Sequence, residues 1–183
     1  MKSTRTLLAG ILASGLALSA APALADRDME FKARLKGVNE VPAVSTGASG
    51  RFELEFDRRT GEGRWKLRYD GLEGNVLQSH IHFGQRGVAG GISVFLCTNL
   101  GNLPPNGAQP CAPSPAQLEG SFTAADVVGP AGQGIAPREF DELIRAMRQG
   151  LTYVNVHTSL VPSGEIRGQI KREDDDFKRE DDD

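Results

Sequence analysis

Apolar and polar residues alternate at period two through most of the middle of the chain. Phe31, Ala33 and Leu35 alternate with Lys32, Arg34 and Lys36. Phe52, Leu54 and Phe56 alternate with Arg51, Glu53 and Glu55, and Trp65, Leu67 and Tyr69 with Arg64, Lys66 and Arg68. Successive side chains of a strand point to opposite faces, so each run reads as a strand with one buried and one wet face. Asp57-Arg58-Arg59-Thr60-Gly61 predicts a hairpin turn between the second and third runs. Further strands are predicted over 76–83, 91–98, 119–123, 151–157 and 165–170. One segment changes period: Phe140, Leu143, Ile144 and Met147 recur at helical spacing. Pro137 suits the first turn of that helix, and Glu139, Asp141 and Glu142 suit its positive end. Arg145 and Arg148 suit the negative end and Gly150 the stop. About eight short strands and one covering helix predict an all-β Greek-key sandwich or barrel.

The ends of the chain follow other rules. Lys2 and Arg5 precede an apolar stretch from Leu7 to Ala20, and Ala23-Leu24-Ala25 has the small-x-small form of a cleavage site. Residues 1–25 are therefore predicted to be a secretory signal peptide, with the mature protein starting at Asp26. The apolar stretch is short for a membrane span, and no second one follows. At the other end KREDDD occurs twice, at Lys171–Asp176 and Lys178–Asp183, around Phe177. Residues 171–183 are predicted to form a charged, disordered tail, because so few apolar groups cannot offset the entropy of ordering. The domain then spans 26–170.

Composition narrows the function. Hydrophobic residues make up 39% and charged residues 25% of 183, which is ordinary for a globular chain. The formal net charge is −3, without the basic footprint of a nucleic-acid-binding protein. Two cysteines exclude a four-cysteine zinc site. Cys97 and Cys111 flank a segment rich in Pro, Asn and Gly. In an exported, periplasmic or secreted protein they are expected to form a disulfide.

Three histidines carry the candidate chemistry. His80 and His82 lie at i and i+2 on a predicted strand and share a side. Ile81 and Phe83 are the apolar set there, so the imidazoles are predicted on the outer face. Val154 and Val156 place His157 outward beside Asn155 by the same test, and Ile166 and Ile170 do so for Glu165, Arg167 and Gln169. If the two strands are neighbours, three neutral imidazoles offer a copper or zinc ion its ligands. Otherwise they cap loop backbone and bind nothing. Asn155, Thr158, Arg167 and Glu165 are candidates to orient the imidazoles or to touch a ligand. Glu40 and Glu165 do not form a recognisable catalytic acid pair, and surface salt bridges account for such residues more simply. The chain has no nucleophile elbow, phosphate loop or dinucleotide fingerprint.

Several segments in register resemble the CHRD domain, a module named after chordin. Leu35-Lys36-Gly37-Val38-Asn39-Glu40-Val41-Pro42 resembles its opening, and Ser79-His80-Ile81-His82-Phe83-Gly84 its central motif. The runs from Thr152 to Thr158 and from Pro162 to Ile170 resemble its close. This resemblance implies an immunoglobulin-like or superoxide-dismutase-like sandwich. It also implies an extracytoplasmic, non-enzymatic binding module whose partner is a protein or a small ligand. His80-Ile81-His82 additionally resembles the copper-ligand pair of copper-zinc superoxide dismutases, with Arg167 as a cation that draws in an anion. No fourth histidine exists to bridge two metals, so only a mononuclear copper enzyme stays open as an alternative. A purely structural or protein-interaction domain is the third reading.

Overall fold

The computed structural model describes residues 28–173. The expected signal peptide and most of the expected tail lie outside them. The described chain forms β1 (Met29–Lys36), β2 (Ser49–Asp57), β3 (Glu62–Asp70), β4 (Val76–Phe83) and β5 (Gly91–Thr98). There follow β6 (Ala116–Phe122), α1 (Phe140–Arg148), β7 (Thr152–Thr158), β8 (Ile166–Gln169) and β9 (Lys171–Arg172). The strands join one antiparallel near-barrel sheet in the order β5-β4-β7-β8-β1-β2-β3-β6, with β9 on β1. The all-β expectation holds, and the two strands between 76 and 98 have the predicted ends.

The period-two pattern sets the register. Phe31 faces Leu54, Ala33 faces Phe52, and Leu54 faces Trp65 across the strands. These side chains and Leu35, Leu67 and Tyr69 are buried on the inner face. Each large apolar side chain buried this way contributes about 1.5–3 kcal/mol. Ile81, Val94, Leu96, Val154 and Val156 join the same core from the other half of the sheet. The sheet is not closed by hydrogen bonds between β5 and β6. The expected disulfide is present: Cys97, at the end of β5, bonds Cys111 in the segment leading to β6, with Cα atoms 5.0 Å apart. It ties β5 to the segment that leads into β6.

Two expectations shift. The helix starts at Phe140, after Pro137, because Arg138 adopts φ 73° and its N–H bonds Val127 O. Helical geometry cannot run through that left-handed residue. The buried face of α1 packs Phe140 against Phe56 and Phe122, with ring centroids 5.3 and 5.7 Å away. Lys171 and Arg172, expected at the head of the charged tail, form β9. Lys171 and Arg172 pair with Lys32 and Phe31, and Glu173 bonds Lys32. An open edge of β1 offers backbone partners that composition alone does not reveal.

Candidate metal centre

β4 carries His80 and His82, and β7 carries Tyr153, Asn155 and His157 on one face. The two strands are direct neighbours, with His80 opposite Asn155 and Gln78 opposite His157. The strand adjacency that the sequence left open is therefore present. One nitrogen from each of the three rings lies within 4.8 Å of the others. His80 Nδ1 is 3.2 Å from His157 Nε2.

The imidazoles lie opposite the core set Ile81, Val154 and Val156, as alternation predicts. The expectation of an open outer face needs correction. His80 is fully buried, and His82 and His157 are each only 7% exposed. Loops fold over this face. Gly90 O accepts from His82 Nδ1 at 2.9 Å, and Pro162 O accepts from His157 Nδ1 at 2.9 Å. Tyr153 stacks on His82 with centroids 4.7 Å apart, and Phe95 meets His80 edge-on at 4.5 Å.

These contacts decide protonation. A carbonyl oxygen only accepts, so His82 and His157 carry their proton on Nδ1 and present a lone pair on Nε2. His157 Nε2 then accepts from His80 Nδ1. His80 Nε2 and His82 Nε2 are buried without a hydrogen-bond partner. Burial holds all three imidazoles below the usual histidine range, to about 2 for His80 and about 4 for His82. The neighbouring imidazoles add to that effect at His80. Neutral rings held by backbone carbonyls at one nitrogen are the form in which histidine ligates a metal.

The other candidates divide into two groups. Asn155 is buried between His82 and Glu40, and Glu40 lies in the field of Arg167. Burial pushes the Glu40 carboxyl up to about 7, against the pull of Arg167, and its Oε1 has no partner. Arg167 also lies on the outer face, beside Asn155 and Tyr153, but is buried there rather than exposed. Its guanidinium carbon sits 3.4 Å from the Tyr153 ring centre and Nη2 donates to Gln85 O at 3.0 Å. The order β4-β7-β8 puts Arg167 and His82 on opposite sides of that ring. Arg167 also lines a hollow of about 210 Å³ with Asn39, Glu40 and Arg86.

Thr158 and Glu165 form a separate group. Thr158 alternates with His157 and points away from the imidazoles, donating to Glu165 Oε2 at 2.7 Å. Glu165 Oε1 accepts from Thr46 Oγ1 and from Glu73 N–H, both at 3.0 Å. Glu165 is thus a fully buried staple between three segments, not a surface salt bridge to an arginine. Tyr153 and Phe95 were missing from the sequence reading. The i, i+2, i+4 spacing of Tyr153, Asn155 and His157 could have found the first. Nothing local could have found Phe95, which arrives from β5.

No curated protein and no solved structure matches the chain. A family model described as the CHRD domain matches residues 31–170. That span covers β2 to β8 and all but the first two residues of β1, and includes all three histidines. The chain belongs to the CHRD domain family.

Proposed function

We propose that the protein is an exported, non-enzymatic binding module whose ligand is one copper or zinc ion held by His80, His82 and His157. CHRD domains are generally binding modules and typically extracellular. The observation that carries the metal reading is that one nitrogen from each of the three buried imidazoles lies within 4.8 Å of the others, with His82 Nε2 left without a hydrogen-bond partner. Leaving a buried polar atom without a partner costs about 1–3 kcal/mol, and a cation bound at His82 Nε2 would remove that cost. Zinc–nitrogen bonds of about 2.0–2.1 Å give a tetrahedral edge of about 3.3 Å. The 3.2 Å between His80 Nδ1 and His157 Nε2 fits such an edge. Three imidazoles leave one coordination position for a small ligand.

The test is titration of the full chain, without a histidine tag, with copper(II) and zinc(II) near neutral pH. A triple alanine variant at His80, His82 and His157 is run beside it. A stoichiometric site that the variant lacks supports the reading. Copper(II) paramagnetic resonance on the unmodified chain reports nitrogen ligation independently of whether the variant folds. Equally weak binding by both proteins, with no nitrogen coupling, overturns it. Superoxide turnover by the copper-loaded protein would favour the mononuclear dismutase alternative, for which the near-complete burial of the imidazoles leaves little approach.

A further inference from the structure

On the outer face of β1, β2 and β3, Arg34 stands opposite Arg51, and Arg51 stands opposite Arg68. All three side chains are exposed. Like charges directly opposite one another destabilise a sheet. The adjacent row shows what sheet stability favours. Lys32, Glu53, Lys66 and Glu119 alternate in sign across β1, β2, β3 and β6. The arginine row abandons that alternation. Its relief is partial: Arg51 pairs along its own strand with Glu53 at 2.9 Å, and Arg68 donates to Gln117. Arg34 has no ion pair among the described residues. Lys36 adds a further exposed positive charge on β1.

We propose that this row docks a linear polyanion, a glycan chain bearing sulfate or phosphate groups. Neighbouring strands are about 4.8 Å apart, so the row sets three guanidinium groups along a line about 10 Å long. Each planar fork matches a sulfate or phosphate bidentately. A line of cations at regular spacing complements a chain of anions better than a single small one. A lipid surface fits less well. The exposed large apolar residues Val38, Val88, Leu100, Leu103 and Leu160 all lie outside these strands, so nothing on this face inserts into a bilayer. Glu53 and Asp70 border the row and confine its positive field to a strip. The proposal does not depend on the histidine site, which lies on β4 and β7.

The experiment measures retention of the full chain on immobilised dextran sulfate, beside unsulfated dextran, over a salt gradient. It compares a triple Arg34→Gln, Arg51→Gln, Arg68→Gln variant with a control triple, Lys32→Gln, Arg64→Gln, Lys66→Gln, of equal charge change. The arginine triple should weaken binding by about tenfold or more, and the control by less than about twofold. An unchanged or raised Tm in the arginine triple verifies its fold, since removing like-charge repulsion does not destabilise. Three results overturn the proposal. They are no preference for dextran sulfate over dextran, equal losses in both triples, or binding only to phosphatidylglycerol-containing vesicles.

Discussion

His80 Nδ1 and His157 Nε2 meet at 3.2 Å across the β4–β7 pair, 77 residues apart in the chain. In the metal-free protein this contact is a hydrogen bond, because Pro162 O already takes the His157 Nδ1 proton. In the proposed metal-bound state these two nitrogens would form one edge of the coordination shell, with the His80 proton moved from Nδ1 to Nε2. His157→Ala should lower copper or zinc affinity by about a hundredfold or more, beyond what loss of an outer-shell partner costs. It should also destabilise the metal-free fold by about 1–3 kcal/mol, because His80 loses its buried partner. Calorimetric titration and denaturant unfolding check the two numbers separately.

The metal-free protein should lose stability in acid earlier than a chain of this composition otherwise would. The folded-state values of His80 and His82 lie below the ordinary histidine value of 6.5. Stability from keeping them neutral is present above pH 6.5. It is lost as pH falls from there toward about 4 and then about 2, because the unfolded chain binds the protons first. Unfolding midpoints in chelator-treated buffer should fall between pH 7 and pH 4, and triple His→Phe replacement should flatten that fall. A flat wild-type profile would contradict the burial of neutral imidazoles.

Glu40 should act in the opposite sense. Its folded value is raised to about 7 from an ordinary 4.5. Its contribution is therefore present below pH 4.5 and lost as pH rises through 7. Glu40→Gln removes the buried charge and should raise stability at pH 8 by about 1–3 kcal/mol, with little effect at pH 5. Urea melts at the two pH values give the comparison. A loss at pH 8 would mean that the Arg167 field outweighs desolvation.

Gly164 sits where the last loop crosses the site. Its φ is 124°, and a Cβ there would overlap the Glu40 carboxylate and come 2.8 Å from Asn155 Nδ2. Gly164→Ala should cost about 2 kcal/mol or more from strain and overlap together. It should also displace Asn155 from His82, lowering metal affinity by about tenfold. A variant that melts and binds like wild type would show that the loop is not closed over the site.

The disulfide closes a sequence separation of 14 and ties the end of β5 to the segment that leads into β6, the two strands the sheet does not pair with each other. Cys97→Ser with Cys111→Ser should cost about 3 kcal/mol, the expectation for a closed loop of this length. Metal affinity should hardly change, since neither cysteine touches an imidazole. A large affinity loss would mean that the edge of β5, which carries Phe95 to His80, needs the bond to keep its place.

The alternation of Phe31-Ala33-Leu35, Phe52-Leu54-Phe56 and Trp65-Leu67-Tyr69 was legible because each strand has one buried face, and period two records that directly. The helix was legible by its stripe, but its first turn was not. Pro137 suits a helix start, and only the bond from Arg138 N–H to Val127 O shows why the chain turns first. The inward or outward sense of His80, His82 and His157 was legible by the same alternation. Their burial was not, because facing away from the core does not say whether a loop lies on top. Glu165 misled for a related reason. A carboxylate amid polar residues reads as exposed until Thr46, Glu73 and Thr158 are seen to surround it.

The amino-acid order by itself determined which residues share a strand face, which stretch is helical, and that His80 and His82 point the same way. Those properties depend on neighbours a few residues apart, where covalent geometry and side-chain periodicity leave little choice. Only the tertiary structure decided that β4 pairs with β7 and that Gly90 and Pro162 hold two imidazoles by their Nδ1 atoms. It alone decided that Arg34, Arg51 and Arg68 stand in one row. Strand partners and covering loops are chosen by burial and hydrogen bonding summed over the whole sheet, and no short window of the chain contains that sum.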